Sequence, residues 1–279
     1  MSAYPVSYGP TAEAVQDVIE TGDAILVAID FELLCKERLQ PNGTRAQPIT
    51  EIGLTTLDLR TLRENHRAGG AVVRAPGDRG IDWMSLCRSS HVINDMYSDH
   101  GPETCRMRFS HTNPNNFVHG KSKFIRDKDI GDYLNHRFDE IRGSNRTNEE
   151  RRKGKLRDIV LLTWASPMEE RVLEFLQVGE VIDGIFRNMF RVDGVRPWDI
   201  QKHEYINRHF GTSGTDGKKA EAAIDSLGIL IRPDLGKVHH NAGNDAAYVM
   251  KMFLALANLS NEQVEAYCER LESLEMMAS

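Results

Sequence analysis

No stretch of the chain approaches the roughly 18 consecutive apolar residues that a bilayer-spanning helix needs. Residues 1–10 are polar, without the basic start and apolar core of a secretory signal. The four cysteines, Cys35, Cys87, Cys105 and Cys268, are scattered, which argues against a disulfide-stapled scaffold. Reduced thiols and an intracellular location, cytoplasmic or nuclear and away from membranes, are expected. An excess of positive charge is missing too. Thirty-five Lys and Arg against 41 Asp and Glu leave a net charge of −6, so bulk charge gives no support to a polyanionic partner. No internal repeat is present. What remains is ordinary: 40% hydrophobic and 27% charged residues over 279 positions, enough to bury the core of a single elaborated α/β unit.

The distribution of residues says more than their totals. Residues 11–20 read as a short helix capped by Thr11 and stopped by Gly22. The run AILVAIDF (24–31) suits a strand buried on both faces, and ITEIGLTTLD (49–58) a second strand that could pair with it antiparallel. Residues 35–48 and 65–80 read as loops. A helix is expected over 81–97, a strand at 105–109, an amphipathic helix over 129–142 and a buried strand at 158–163. Ser166-Pro167-Met168-Glu169 opens another helix, with Glu169 spaced for a capping box. A strand at 179–186 and helices at 217–227, 243–257 and 260–275 complete the pattern. It predicts an α/β fold: a mixed five-stranded sheet flanked by helices.

Two acidic features carry chemistry. Asp30 and Glu32 end the first strand and, two residues apart, share a face. Two clustered carboxylates repel each other unless a cation lies between them, and oxygen ligands suit a hard cation. The second feature is HNAGND (240–245): Asp245 falls in the first turns of a helix, His240 just before it, with small Ala242 and Gly243 between. A histidine beside a metal-binding carboxylate can serve as general base. Asp245 could equally serve the helix dipole. A basic segment, 142–157, holds Arg151, Arg152 and Lys153 and could attract phosphates or be a solvated loop. Trp164 could stack on a base or be a core residue, and Asn241 could contact a phosphate or shape a loop. The residues Cys87, His91, His100, Cys105 and His111 fit no compact zinc spacing. Asp183 and Asp199 read as surface acids.

Asp30-Phe31-Glu32 with ITEIGL (49–54), followed far downstream by His240-x-Ala-x-x-Asp245, resembles the DEDDh 3′–5′ exonucleases of the ribonuclease H-like superfamily. HNAGNDAAY (240–248) and FVHGKS (117–122) look like a fungal branch related to quelling-associated exonucleases. The resemblance covers roughly residues 23–257. It implies a ribonuclease H-like domain over 23–279, with insertions at about 59–130 and 142–157, behind an N-terminal helical extension (1–22). It further implies a two-metal hydrolase using Mg²⁺ or Mn²⁺ on single-stranded RNA or DNA ends. In that pattern Asp30 bridges both metals, Glu32 and Asp245 complete one site, and His240 deprotonates the attacking water.

The chain departs from the family at the middle motif, where an Asp follows Gly-His in the first turn of a helix. Residues 163–170, TWASPMEE, contain neither. Glu169 is the best positional match and Glu170 the runner-up. The alternative function is therefore a ribonuclease H-like module of weak or lost turnover that binds nucleic acid or protein. Protein partners and oligomeric state have no sequence signal.

Overall fold

The computed structural model describes residues 9–34, 37–39, 45–66, 70–98, 114–206, 220–229 and 241–259. Its centre is a six-stranded sheet. In chain order the strands are β1 (Ile25–Leu33), β2 (Ile49–Asp58), β3 (Arg88–Asn94), β4 (Lys123–Ile125), β5 (Ile159–Thr163) and β6 (Val195–Asp199). The spatial order is β6-β5-β1-β2-β3-β4. β1 runs parallel to β5, β5 parallel to β6 and β3 parallel to β4, while the β1–β2 and β2–β3 pairs are antiparallel. This mixed α/β sheet is the ribonuclease H-like arrangement. Of the five strands expected, those at 24–31, 49–58 and 158–163 are β1, β2 and β5, whereas β3, the three-residue edge strand β4 and β6 are strands the sequence pattern did not mark.

β1 is buried on both faces because its apolar residues serve two cores. Ile25, Val27, Ile29 and Phe31 face one cluster, with α3 (Ile130–Gly143) and α5 (Pro167–Phe175). Leu26 and Ala28 face the other, with α1 (Ala12–Thr21), α6 (Ala220–Ser226) and α7 (Ala242–Ala257). Each buried aliphatic or aromatic side chain contributes roughly 1.5–3 kcal/mol. The N-terminal helix α1 is part of this second core through Val15, Val18 and Ile19. Thr11 accepts its Ala14 amide, and Gly22, at φ 58°, ends it.

α7 presses so closely on the sheet that glycine is required at two contacts. A Cβ on Gly53 of β2 would meet the Ala242 carbonyl oxygen at 1.7 Å. A Cβ on Gly243 would meet His91 Cβ at 2.7 Å and the Phe117 ring at 2.8 Å.

Several expectations need correction. The stretch 81–97 is not one helix: a single turn, α2 (Ile81–Met84), precedes β3 and a 3₁₀ turn, Asp95–Tyr97. The β-branched Val92 and Ile93 are buried in the ladder with β2, and that pairing overrides the helical spacing. The expected strand at 179–186 is a hairpin, Gly179–Ile182 with Ile185–Asn188. Its turn residues Asp183 and Gly184 both have positive φ, as a two-residue turn of this hand requires. The expected loops contain short ladders, Arg38–Leu39 with Arg45–Ala46 and Arg63–His66 with Gly70–Val73. The expected strand 105–109 and helix 260–275 lie outside the described residues.

The segment 142–157 is not a free loop either. It holds α4 (Asn148–Arg152), closed by a capping box between Thr147 and Glu150. Arg157 is buried and donates to both Asp58 carboxylate oxygens, at 2.8 and 2.9 Å, and to the Asp23 carbonyl. Arg142 is also buried and pairs with Glu180. Arg60 joins α4 to the sheet through Glu150 at 2.7 Å. Arg151, Arg152 and Lys153 are solvent-exposed, as are most residues of the segment between the buried Arg142 and Arg157.

Candidate metal centre

The C-terminal end of β1 carries Asp30 and Glu32, both turned toward α7. In register, Asp30 lies opposite Gly53 and Glu32 opposite Glu51. The bare Gly53 lets the first turn of α7 settle onto the sheet, and that turn carries Asp245. Asp30, Glu32 and Asp245 each offer a carboxylate oxygen within 4.8 Å of the other two. Two ends of the chain thus supply the acids expected to converge.

The chemistry of this group fits a divalent cation. Its donors are all carboxylate oxygens, the set a hard ion prefers. Burial pushes the Asp30 carboxyl well above the usual range, and the charges of Glu32 and Glu51 push it further. A compensating positive charge among the three acids would favour the ionised form of Asp30.

Behind the cluster stands a buried pair of which the sequence marked only His91, among residues that fit no zinc spacing. Glu51 and His91 share a 3.0 Å hydrogen bond between Oε2 and Nε2. The same Oε2 accepts the Ala242 amide at 3.2 Å, and His91 Nδ1 faces Ser122 Oγ at 2.8 Å. The pair ties the start of α7 to β2 and β3. Glu51 stood in plain view within ITEIG; its partner lies 40 residues on, in a stretch read as helix.

Asn241 is fully buried, and its side chain caps α7 by accepting the Asn244 amide at 3.1 Å. Of the two roles expected for it, a phosphate contact or a loop role, the side-chain oxygen serves the helix start. His240 lies outside the described residues.

The middle-motif region resolves the two candidate glutamates differently. Glu169 is 1% exposed and its Oε2 makes no hydrogen bond among the described residues. Burial raises its carboxyl pKa strongly, and the charges of Asp30 and Asp199 add to this. Glu169 therefore belongs to the same electrostatic unit as Asp30, although it is not one of the three mutually close acids. Ser166 stands at the N-cap in helical conformation and makes no side-chain capping bond, so the capping box anticipated there is not formed. Glu170 instead pairs with Arg191 at 3.3 Å.

Asp199 is a second correction. Read as a surface acid, it is fully buried at the end of β6, opposite Thr163. Its Oδ1 accepts the backbone amides of Ala165 and Gln201, each at 3.1 Å. Its Oδ2 lies 3.4 Å from Lys202 Nζ, at ion-pair distance but without hydrogen-bond geometry. Asp183, by contrast, is exposed as expected. Trp164 is half-buried and packs against the α7-side core.

The exposed residues Arg151, Arg152 and Lys153 stand at the other end of β1. Asp58, which anchors this segment through Arg157, pairs in register with Ile25. Asp30 lies five residues beyond Ile25, roughly 17 Å of strand. Lys153 is engaged by Glu149 at 2.6 Å.

No described helix is long and apolar enough to cross a membrane. Residues 25–256 match the family model DEDDh_C, described as DNA polymerase III subunit epsilon-like, C-terminal domain. No curated protein matches the chain.

Proposed function

Because the chain belongs to the DEDDh_C family of DNA polymerase III subunit epsilon-like C-terminal domains, we propose that it is a metal-dependent 3′–5′ exonuclease. Its substrate on this reading is the 3′ end of single-stranded RNA or DNA. The observation that carries it is the convergence of Asp30, Glu32 and Asp245 within 4.8 Å. HNAGNDAAY and FVHGKS further favour the fungal, quelling-related branch.

Asp30, Glu32 and Asp245 would hold one cation, and Asp30 with Glu169 a second; Mg²⁺ or Mn²⁺ suits an all-oxygen set. When bound, two such ions supply positive charge to the attacking and leaving oxygens of an in-line displacement. The residues of the chain do the rest. His240, five positions before Asp245, takes a proton from the attacking water. That oxygen bonds to the terminal phosphorus, the P–O3′ bond breaks, and the O3′ takes a proton from solvent, so that the shortened strand leaves with a free 3′ hydroxyl and the terminal residue as a nucleoside 5′-monophosphate. Glu51 and His91 hold α7, and so Asp245, against the sheet. Trp164, beside the Glu169 turn, offers a ring face on which a terminal base could stack. Phosphates reaching Arg151, Arg152 and Lys153 would belong to a part of the strand remote from the scissile bond.

A second reading is a binding module of weak turnover. It is favoured by one observation: TWASPMEE has a glutamate where the family has aspartate, and no Gly-His. The two separate in one experiment, incubation of the protein with 3′- and 5′-end-labelled single-stranded RNA and DNA in Mg²⁺, Mn²⁺ or EDTA. Stepwise shortening from the 3′ end with metal, and none in EDTA, is expected. Binding without shortening in every metal gives the binding module.

A further inference from the structure

Alongside the acidic cluster, on the same face of the sheet, lies a cavity of about 100 Å³ that this mechanism does not use. Its walls come from α7, β2, β3 and the turn after α2, with His119 of the FVHGKS segment at its rim. In a protein carrying 41 acidic residues, none lines it. Its polar groups can all donate. Lys251 of α7 contributes an ammonium that pairs with no carboxylate among the described residues and sits 5.3 Å over the Tyr248 ring. Thr55 and Ser89 face each other across β2 and β3 with their hydroxyls 2.8 Å apart, so one hydroxyl proton is left for a ligand. The Cys87 thiol and the His119 ring complete the polar wall, and Met84 and Met250 the apolar one.

We propose that this cavity is a phosphoryl-binding subsite, in which Lys251 and the Thr55–Ser89 pair hold a backbone phosphate of the strand whose end lies at the acidic cluster. The placement suits one continuous strand. Thr55 is two residues from Gly53, which faces Asp30 across the ladder, roughly 7 Å. Lys251 is six residues beyond Asp245 on the same helix, roughly 9 Å. The FVHGKS segment spans the interval: Phe117 packs on His91, and the Val118 amide donates to Asn244 beside Asp245. A partly buried cation with no anion is costly, and burial accordingly lowers the Lys251 pKa. A phosphate oxygen would reverse that, while the small volume excludes a whole nucleotide.

The inference rests on the nuclease reading for the identity of the strand, but its test needs no turnover. In EDTA, inorganic phosphate is titrated against wild-type protein and Lys251→Met, a change that keeps an unbranched side chain one atom shorter and removes the charge. Thermal unfolding and ³¹P line width are followed, with Ser89→Ala as a milder second variant. A saturable upshift in wild type is expected, weakened at least about tenfold in Lys251→Met, as loss of a charged hydrogen bond implies. Ser89→Ala should fall between the two. A short single-stranded oligonucleotide should displace the phosphate. Equal phosphate binding by wild type and Lys251→Met, or none by wild type, overturns the site. Phosphate that binds through Lys251 yet resists the oligonucleotide overturns the strand assignment and leaves the free ion as ligand. Failure of nuclease activity alone touches neither result.

Discussion

Asp199 accepts the Ala165 amide at 3.1 Å, and Ala165 is held in the left-handed region at φ 66°. Through this bond a buried acid on β6 shapes the turn from β5 into α5, and that turn aims Glu169 toward Asp30. Left-handed backbone is unfavourable for alanine and persists only where surrounding contacts enforce it. The contact stands where the family's Gly-His would lie.

Glu169→Gln is expected to cut turnover about 10- to 100-fold and to weaken Mn²⁺ binding, the range typical of lost metal-centre support. It should cost no stability in EDTA, because it relieves a buried carboxyl beside Asp30 whose Oε2 makes no hydrogen bond among the described residues. Glu170→Gln, which breaks only the Arg191 pair, should leave turnover nearly unchanged and cost about 1 kcal/mol or less. Asp199→Asn keeps the shape but weakens acceptance of the two amides, and should lower kcat while metal affinity at Asp30 and Asp245 persists. Parallel steady-state kinetics and Mn²⁺ titrations on the three variants check this; equal effects from Glu169→Gln and Glu170→Gln would refute it.

Asp30→Asn tests the acidic cluster as a whole. The Asp30 carboxyl is raised in the folded protein, first by burial and then by Glu32 and Glu51. The folded state therefore binds more protons than the unfolded chain, whose aspartates titrate near about 3.9. Cation-free stability should fall as pH rises from that value through the raised one. Asp30→Asn should reduce the fall, leaving the share from Glu169, and make the protein more stable than wild type at pH 7 in EDTA and inactive in any metal. A cation at 100 times its Kd should stabilise wild type by about 2.7 kcal/mol and the variant far less. Denaturation curves with and without Mg²⁺ decide the matter; cation stabilisation undiminished in Asp30→Asn would remove Asp30 from the site.

The Asp58–Arg157 pair has the opposite sign. Burial alone would raise the Asp58 carboxyl, but hydrogen bonds from Arg157 and Asn145 outweigh it and hold it low. Its contribution is present above about pH 4 and is lost as pH falls through the depressed value. Asp58→Asn leaves the buried guanidinium uncompensated, at a cost of roughly 3 kcal/mol at pH 7, the low end for a buried pair because Asp58 is partly exposed. The gap between variant and wild type in urea midpoint should narrow below pH 3. A gap independent of pH would show that the pair acts by packing alone.

Replacing Arg151, Arg152 and Lys153 by Gln should weaken single-stranded nucleic acid binding across sequences. The salt slope should fall by up to about 2, at about 0.7 per phosphate contact. Because they stand at the far end of β1, kcat should hold. Filter binding at several salt concentrations gives the answer, and an unchanged slope makes the segment purely architectural.

Much of the site was legible in the sequence because strand periodicity is rigid. Asp30 and Glu32 end an apolar run, and two-residue spacing forces them onto one face whatever the tertiary context. Asp245 was legible because a helix start is marked locally by Asn241 and two small residues. Asp199 was not: it follows Trp198 in a short strand whose neighbours carry no repeating signal, and its burial comes from β5 and the turn at Ala165. β3 was missed for a related reason. Its register with β2 buries His91, Val92 and Ile93, and nothing local to 81–97 announces that partner. The capping box at Ser166 failed because local spacing favours it while the charge environment of Glu169 lies in the tertiary fold.

The two bare glycines beneath α7 have a consequence for how a metal ion would meet this protein. With Gly53 admitting the Ala242 carbonyl and Gly243 admitting Phe117 and His91, the helix has no room to rise or slide without losing both contacts. The acids of β1 and α7 are thus a finished socket before any ion arrives. An arriving cation would owe little to chain ordering, and its affinity would be set by charge and desolvation. Any side chain larger than hydrogen at position 53 or 243 would unseat the socket while leaving every one of its acids in the sequence.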